Sequence, residues 1–220
     1  MFTLLPELEG RHIRLEPLQP RHAAGLAEAA ASDPDLYRLT VVPQTEAEAA
    51  AYIESALARR DQGTAAPFAV VRVADGAVIG STRIWDLVRW GWPTGHPRHG
   101  REAPDICEIG YTWLARPAIG TAANTEMKLL MLGHAFETWQ VHCVCLHTDA
   151  RNERSRRAME KMGARFEGIL RAHRLAAELT PRDSARYSVT AAEWPEVKRG
   201  LADRLAARAG RAPQATGARP

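Results

Sequence analysis

The sequence of 220 residues contains few cysteines and no long hydrophobic run. Cys107, Cys143 and Cys145 are too few for a disulfide framework, and their spacing matches no zinc site. No stretch approaches the roughly 18 apolar residues that a transmembrane helix needs. The first residues lack the basic segment of a signal peptide and reach an acid at Glu7. These absences predict a protein of the reducing cytoplasm, with no metal and no membrane partner.

A strong excess of one charge is also missing. Lys and Arg total 29 against 26 for Asp and Glu, which leaves a net charge of +3. Much of the excess lies in the Arg-rich stretch after Arg199. A nucleic-acid-binding protein usually carries a dense basic stripe, so we do not expect nucleic acid as a partner. A mildly positive surface would attract a polyanionic small molecule as readily.

What is present is the composition of a globular protein, with 45% hydrophobic and 25% charged residues. We expect one domain over residues 1–208 and a disordered tail at 209–220. An irregular stretch at about 89–104 contains Trp90, Trp92, His96 and several Gly and Pro residues. Long loops inside compact domains are more often functional than not, and we expect this one to line a functional site.

Residue patterns predict an α+β fold around one mixed sheet. β-branched and alternating runs indicate strands, and Ala-rich or amphipathic runs indicate helices. Asp75-Gly76 between two apolar runs predicts a hairpin. The predicted strands are 11–17, 67–73, 78–85, 106–114, 141–148, 166–170 and 185–189, and the predicted helices are 20–31, 45–60, 125–139, 152–163 and one starting at 194.

The loop after strand 106–114 is the most informative about function. Small residues from Gly120 to Ala123 allow the backbone to approach a ligand closely. The following helix would direct unpaired N–H groups and the positive end of its dipole to the same place, as phosphate binding requires. On spacing alone, an ordinary tight loop with Asn124 as N-cap is the commoner explanation.

Several short motifs together carry a family resemblance: 8–15 (LEGRHIRL), 108–114 (EIGYTWL), 120–126 (GTAANTE), 128–130 (KLL), 148–155 (TDARNERS), 162–164 (MGA), 166–168 (FEG) and 182–184 (RDS). They resemble the GNAT superfamily of N-acetyltransferases, and are most similar to its Rim-type branch, which contains the ribosomal-protein N-terminal acetyltransferases. The resemblance covers nearly the whole chain except the 89–104 loop and the tail.

The resemblance implies a central sheet splayed between its fourth and fifth strands, with acetyl-CoA as co-substrate in the wedge. Ala122 stands where the family usually has glycine, and its methyl group would narrow the approach and disfavour a positive φ. Ile119 stands where Gln or Arg is usual. The coenzyme-binding residues implied are Trp113 and Leu114 for the pantetheine arm, Ile119, Gly120, Thr121, Ala122, Ala123, Asn124 and Thr125 for the pyrophosphate, and Asn152 for the pantetheine amides or the helix start.

Acetyl transfer to an amine requires a base for the ammonium, donors for the oxyanion and a proton for the thiolate. The resemblance places the base at Glu108, with Glu102 and Asp105 as rivals; a strand-face acid paired with an arginine is the alternative for Glu108. It places the proton donor at Ser155, which could instead serve only the first helical turn. Cys143 and Cys145 would share one strand face as small core residues.

The resemblance therefore predicts an acetyl-CoA-dependent N-acetyltransferase. It would transfer the acetyl group directly, in a ternary complex, to a primary amine on a peptide N-terminus or a small molecule. Two alternatives stay open: a repurposed fold that binds an acyl-CoA or another ligand without transfer, and a nucleic-acid binder acting through the Arg-rich tail. The resemblance is also compatible with a homodimer.

Overall fold

The computed structural model describes residues 6–209, and within them one eight-stranded sheet of order β1-β2-β3-β4-β5-β6-β8-β7 is flanked by helices. The expected order of elements is confirmed, with one short strand added at the start. The strands are β1 Leu8–Glu9, β2 Ile13–Pro17, β3 Ala65–Arg72, β4 Val78–Val88, β5 Ile106–Leu114, β6 Cys143–Asp149, β7 Arg165–Leu175 and β8 Pro181–Thr190; the α-helices are α1 Ala23–Ala31, α2 Glu46–Asp61, α3 Ala123–Gly133, α4 Glu153–Met162 and α5 Trp194–Ala209.

The sheet separates two hydrophobic clusters. Side chains alternate between the faces of a strand, and Val70 and Val71 of β3 contribute to different clusters. Helices α1 and α2 cover one face, where Ile53 is buried. Helices α3 and α5 cover the other, where Met127 is buried. We call these the α1/α2 face and the α3/α5 face.

Strands β5 and β6 are the fourth and fifth strands of the sequence-based prediction, and they part as expected. Their parallel pairing joins Ile106–Glu108 only to Cys143–Cys145. Beyond this, β5 continues to Leu114 beside β4, while β6 pairs with β8 along its whole length. The result is a wedge that narrows to a vertex at Glu108 and opens toward the carboxyl ends of both strands.

The 89–104 loop contains neither helix nor strand and is organised by Asp105. The Asp105 carboxylate accepts hydrogen bonds from Trp90 N (2.8 Å), Trp92 Nε1 (2.9 Å) and Arg98 Nη1 (3.2 Å). The Trp92 ring stacks on His96 with centroids 4.1 Å apart. The loop is therefore fixed at the amino end of β5, at the closed end of the wedge.

The C-terminal helix α5 ends at Ala209, the first residue of the predicted tail. The rest of the predicted tail, residues 210–220, lies outside the described residues. No helix within 6–209 is long and apolar enough to cross a bilayer.

Candidate active site

The loop expected to bind pyrophosphate lies at the open end of the wedge, between β5 and α3. Gly120 has φ +79°, and a side-chain carbon there would meet no atom within 4 Å. Backbone conformation rather than space therefore requires glycine at this position. Arg208 of α5 donates a hydrogen bond to the Gly120 carbonyl, which brings a cation beside the loop.

The start of α3 corrects two expectations. The helix begins at Ala123, so Asn124 lies in its first turn and is not the N-cap. Thr121 organises the turn instead: its hydroxyl donates to Ala118 O (2.7 Å) and accepts from Ala123 N (3.2 Å). Ala122 has φ −68°, so no positive φ is needed where the family usually has glycine.

Two predicted coenzyme residues, Trp113 and Leu114, end β5 at the edge of the wedge. Ala115 N donates to Ile79 O of β4 (2.8 Å), and alternate residues of an antiparallel pair point their backbone groups in opposite directions. The N–H and C=O of Leu114 therefore point toward β6, into the wedge. The Tyr37 hydroxyl donates to Leu114 O (3.0 Å), and the ring of Tyr37 packs edge-on against Trp113.

Asn152 and Ser155 lie at the start of α4, beyond the carboxyl end of β6. The Asn152 side chain caps the helix by accepting from Ser155 N (3.1 Å). Of the two roles expected for Asn152, at the pantetheine amides or at the helix start, the structure shows the second. The Ser155 side chain is half-buried in the first turn, and Met159 packs against the α3/α5 face. Helices α3 and α4 thus both direct their amino ends to the open end of the wedge.

Glu108 lies at the vertex, where pairing of β5 with β6 ends. Its side chain is 2% exposed, and it accepts from Arg174 Nη2 (2.7 Å) and Nη1 (3.2 Å). His147 Nδ1 lies 2.9 Å from Glu108 Oε2. Burial opposes ionisation, but His147 and Arg174 together outweigh it, so the pKa of Glu108 is lowered. The carboxylate is therefore ionised at neutral pH and paired with an arginine, as the alternative anticipated.

The rival acids have other surroundings. Asp105 is committed to the three donors of the 89–104 loop, which lower its pKa despite burial. Glu102 is an exposed residue of that loop, and its carbonyl accepts from Arg89 Nε. Of the three acids, Glu108 is the one at the vertex.

The cysteine pair of β6 shares one face, as expected, because Cys143 and Cys145 alternate with the core residue Val144. Cys145 is buried, whereas Cys143 is only half-buried. Arg186 Nη2 donates to Cys145 Sγ (3.4 Å), so the surroundings of Cys145 are polar. The core-residue prediction does not hold for Cys143, because that residue is only half-buried. The described residues contain no group of three or more His, Cys, Asp or Glu side chains arranged to hold a metal ion.

A family model described as Acetyltransferase (GNAT) domain matches residues 12–165. The chain belongs to the GNAT acetyltransferase family. It is therefore an acyltransferase, and the enzymes of this family use acetyl-CoA. No curated protein matches its sequence significantly.

Solved GNAT structures resemble the whole chain. A candidate acetyltransferase from T. thermophilus is 34% identical, with coverage of 93% of this chain and 100% of that chain and a TM-score of 0.75. A GCN5-related N-acetyltransferase from Brucella melitensis is 28% identical, covering 91% and 85%, with a TM-score of 0.74. RimJ of Mycobacterium smegmatis, in complex with CoA-disulfide, shares the fold at 23% identity, with 90% of each chain covered and a TM-score of 0.70. Rim-type enzymes are thus among its structural neighbours, alongside other GNATs.

Sequence reasoning missed the partners of Glu108 and the role of Tyr37. Arg174 is 66 residues from Glu108, and Tyr37 is 77 residues from Leu114. No local spacing links residues so far apart, because the topology of the sheet brings them together.

Proposed function

We propose that the protein is an N-acetyltransferase that moves the acetyl group of acetyl-CoA directly to a primary amine in a ternary complex. The observation that carries the proposal is the position of Glu108, an ionised carboxylate at the vertex of a wedge whose open end is lined by two helix amino ends. A diphosphate is suited to that open end, because unpaired N–H groups and the helix dipoles favour anions there.

Different residues would supply the base, the proton donor and the oxyanion donor that the transfer requires. Glu108 takes a proton from the acceptor ammonium, through a water molecule, so that the neutral nitrogen can attack the thioester carbonyl carbon. The C–N bond forms, the nitrogen loses its second proton to solvent, and the C–S bond breaks. The thiolate takes up a proton, for which we propose Ser155, whose hydroxyl regains a proton from solvent. A wedge-facing N–H of β5, such as that of Leu114, is suited to stabilise the oxyanion.

The pairing of Glu108 has a consequence for this role. A carboxylate with a lowered pKa is a weak base and does not hold a proton for long at neutral pH. Glu108 is therefore suited to pass the proton of the ammonium through water to bulk solvent. Arg174 also holds the carboxylate in one orientation through two hydrogen bonds.

Replacing Glu108 by Gln tests the proposal. We expect kcat for acetylation of a responsive amine to fall by ~10²–10⁴, because the amide cannot accept the proton. Release of free CoA measures the rate, and titration calorimetry with acetyl-CoA should give an unchanged affinity. Glu102→Gln is the matched control and should retain activity.

A near-native rate for Glu108→Gln at pH ~7 would contradict the role of base and favour a purely positioning enzyme. If the wild-type protein binds acetyl-CoA but releases no CoA with any amine, the repurposed-fold alternative is correct.

A further inference from the structure

Arg83 is a buried cation without an anionic partner. It lies in the middle of β4 and is 2% exposed. Its guanidinium is held between two rings, 4.5 Å from the centroid of Tyr52 and 4.2 Å from that of Tyr111. Within residues 6–209 it forms no ion pair, and its Nε is buried without a hydrogen-bond acceptor. Ring faces stabilise a cation but accept little of what a guanidinium can donate.

This arginine adjoins the vertex of the wedge. Arg83 is the Cα partner of Gly110, and Trp85 is the partner of Glu108. A side-chain carbon at Gly110 would lie 2.7 Å from Trp85 Nε1 and 3.2 Å from Glu108 Oε1. The side chains of Trp85 and Glu108 therefore both lie close to this glycine. Arg83 and Trp85 point to the same face and are two residues apart, about 7 Å along the strand.

The same face carries a second arginine, which is half-buried. Arg182 of β8 is directly opposite Arg174 of β7, a like-charge pairing that is unfavourable unless anions are near. Glu108 pairs with Arg174, whereas within the described residues Arg182 forms no ion pair and its Nε has no acceptor. Arg182 interacts electrostatically with Asp149 and, more weakly, with Glu108 and Tyr111. Two of the three guanidiniums, those of Arg174 and Arg182, therefore have carboxylates in their surroundings, whereas Arg83 forms no ion pair within residues 6–209.

We propose that Arg83, held between Tyr52 and Tyr111, recognises a carboxylate of the acceptor, so that the acceptor is a small amino acid rather than a polypeptide N-terminus. A guanidinium binds a carboxylate through two parallel N–H···O bonds, one of which would satisfy the Nε–H left without an acceptor. The amine of the same molecule would then lie toward Glu108. This inference rests on the proposed function, because it assigns the substrate class of that site.

Tyr111 controls access to Arg83. It occupies a bulge in β5 with φ +51°, the residue is 39% exposed, and its ring lies over the guanidinium. The Tyr52 hydroxyl is hydrogen-bonded to Ser81 Oγ (3.2 Å), which fixes the ring on the inner side. The acceptor therefore enters from the Tyr111 side, where the exposed ring can move.

Matched pairs of acids and amides test the inference with the wild-type protein. The pairs are glycine, β-alanine and L-phenylalanine, each with its carboxamide, together with an amidated tetrapeptide that begins with alanine. For at least one pair we expect kcat/KM to favour the acid by about 10- to 100-fold, the effect of one charge-assisted contact. The amine of an α-amino amide is the less basic of the two, so amine ionisation would bias glycine and L-phenylalanine in the opposite direction.

Two arginine variants connect this preference to its origin. Arg83→Gln should lower kcat/KM for the acid more than for the amide, so that the preference for the acid is lost. Arg186→Gln is the control, because Arg186 lies on the same face of the sheet but is already paired with Glu167 at 2.6 Å. It should keep the preference. Thermal unfolding and acetyl-CoA titration establish that each variant is folded.

Equal kcat/KM for acids and amides in the wild type would overturn the inference, as would better acetylation of the tetrapeptide than of every acid. Arg83→Gln lowering both members of a pair equally would also overturn it. These results would leave acetyl transfer itself intact. If no amine releases CoA, the proposed function fails instead, and calorimetry with the same acids and amides then decides the carboxylate site by binding alone.

Discussion

At the residue scale, Lys128 shows how burial alone can change the charge of a side chain. It lies on α3 and is 8% exposed, and its Nζ donates to Thr112 Oγ1 at 3.0 Å. That neutral hydroxyl does not compensate for the loss of water around an ammonium group. Burial accordingly lowers the pKa of Lys128 to about 7, from the ordinary value of 10.5.

Replacing Lys128 by Met should stabilise the protein by an amount that depends on pH. Between pH 7 and 10.5 the unfolded chain holds a proton that the folded protein has lost, so wild-type stability rises with pH. The advantage of Lys128→Met is therefore largest below pH 7 and shrinks by about 1.4 kcal/mol for each pH unit above it.

Urea unfolding of both proteins at several pH values between 6 and 10 measures this difference, with Lys161→Met on the exposed side of α4 as the control. A gain in stability that does not change with pH would show that Lys128 is protonated equally in the folded and unfolded states, so that burial does not lower its pKa.

Residue roles that depend on near neighbours could be predicted, and those that depend on distant ones could not. Asn152 was expected at the start of a helix and caps it. Glu126 was noticed only within a motif, yet its carboxylate accepts from the backbone N–H of Arg11, His12 and Ile13 and holds the start of β2 against α3. Over a hundred residues separate these partners, so no helical or strand period connects them.

At the element scale, the best-predicted segments are those with a strong local signal. The strand expected at 106–114 is β5, and the helix expected after Thr45 is α2, with Thr45 accepting from Glu48 N. Strands β7 and β8 are longer than predicted. The side chains of β7 are mostly exposed, so pairing with β8 rather than an alternating apolar pattern determines its length.

The helix predicted to reach residue 139 ends earlier. Helix α3 stops at Gly133, and a π-helical turn continues over His134–Thr138. Both segments bury apolar residues, including Ala135 and Phe136, so the hydrophobic period could not distinguish them.

Gly120 and Ala122 of the pyrophosphate loop should respond in opposite ways to substitution. Gly120→Ala places a side chain at φ +79°, which costs about 1–2 kcal/mol even though space is free. We expect lower stability and weaker acetyl-CoA binding, because the loop would relax away from this conformation. Ala122→Gly should leave coenzyme affinity nearly unchanged, because Ala122 already has a helical φ. Calorimetric titration of both variants measures the contrast, and tighter binding by Ala122→Gly would show that the methyl group obstructs the coenzyme.

At the scale of the whole molecule, the order of elements was predictable from residue patterns, while the splay of the sheet came from family resemblance alone. Pairing patterns in a single sequence do not show where two parallel strands part. The structure gives the physical picture: three residue pairs join β5 to β6, so backbone groups beyond the vertex are left facing the wedge. Such groups are suited to pair with a ligand that lies between the strands.

This architecture predicts how acetyl-CoA should alter the exchange of backbone amides. At a ligand concentration of 100 times Kd, binding adds about 2.7 kcal/mol to stability and raises Tm by about 5–10 °C for a chain of this size. Backbone amides at the carboxyl end of β5, Leu114 among them, should exchange more slowly when acetyl-CoA is bound. The difference should be visible at exchange times of seconds to minutes. Amides of the paired strands β2 and β3 should change little on that timescale, since their hydrogen bonds are already formed. Protection spread evenly over the sheet, with none added at β5, would mean that the wedge is not where the coenzyme binds.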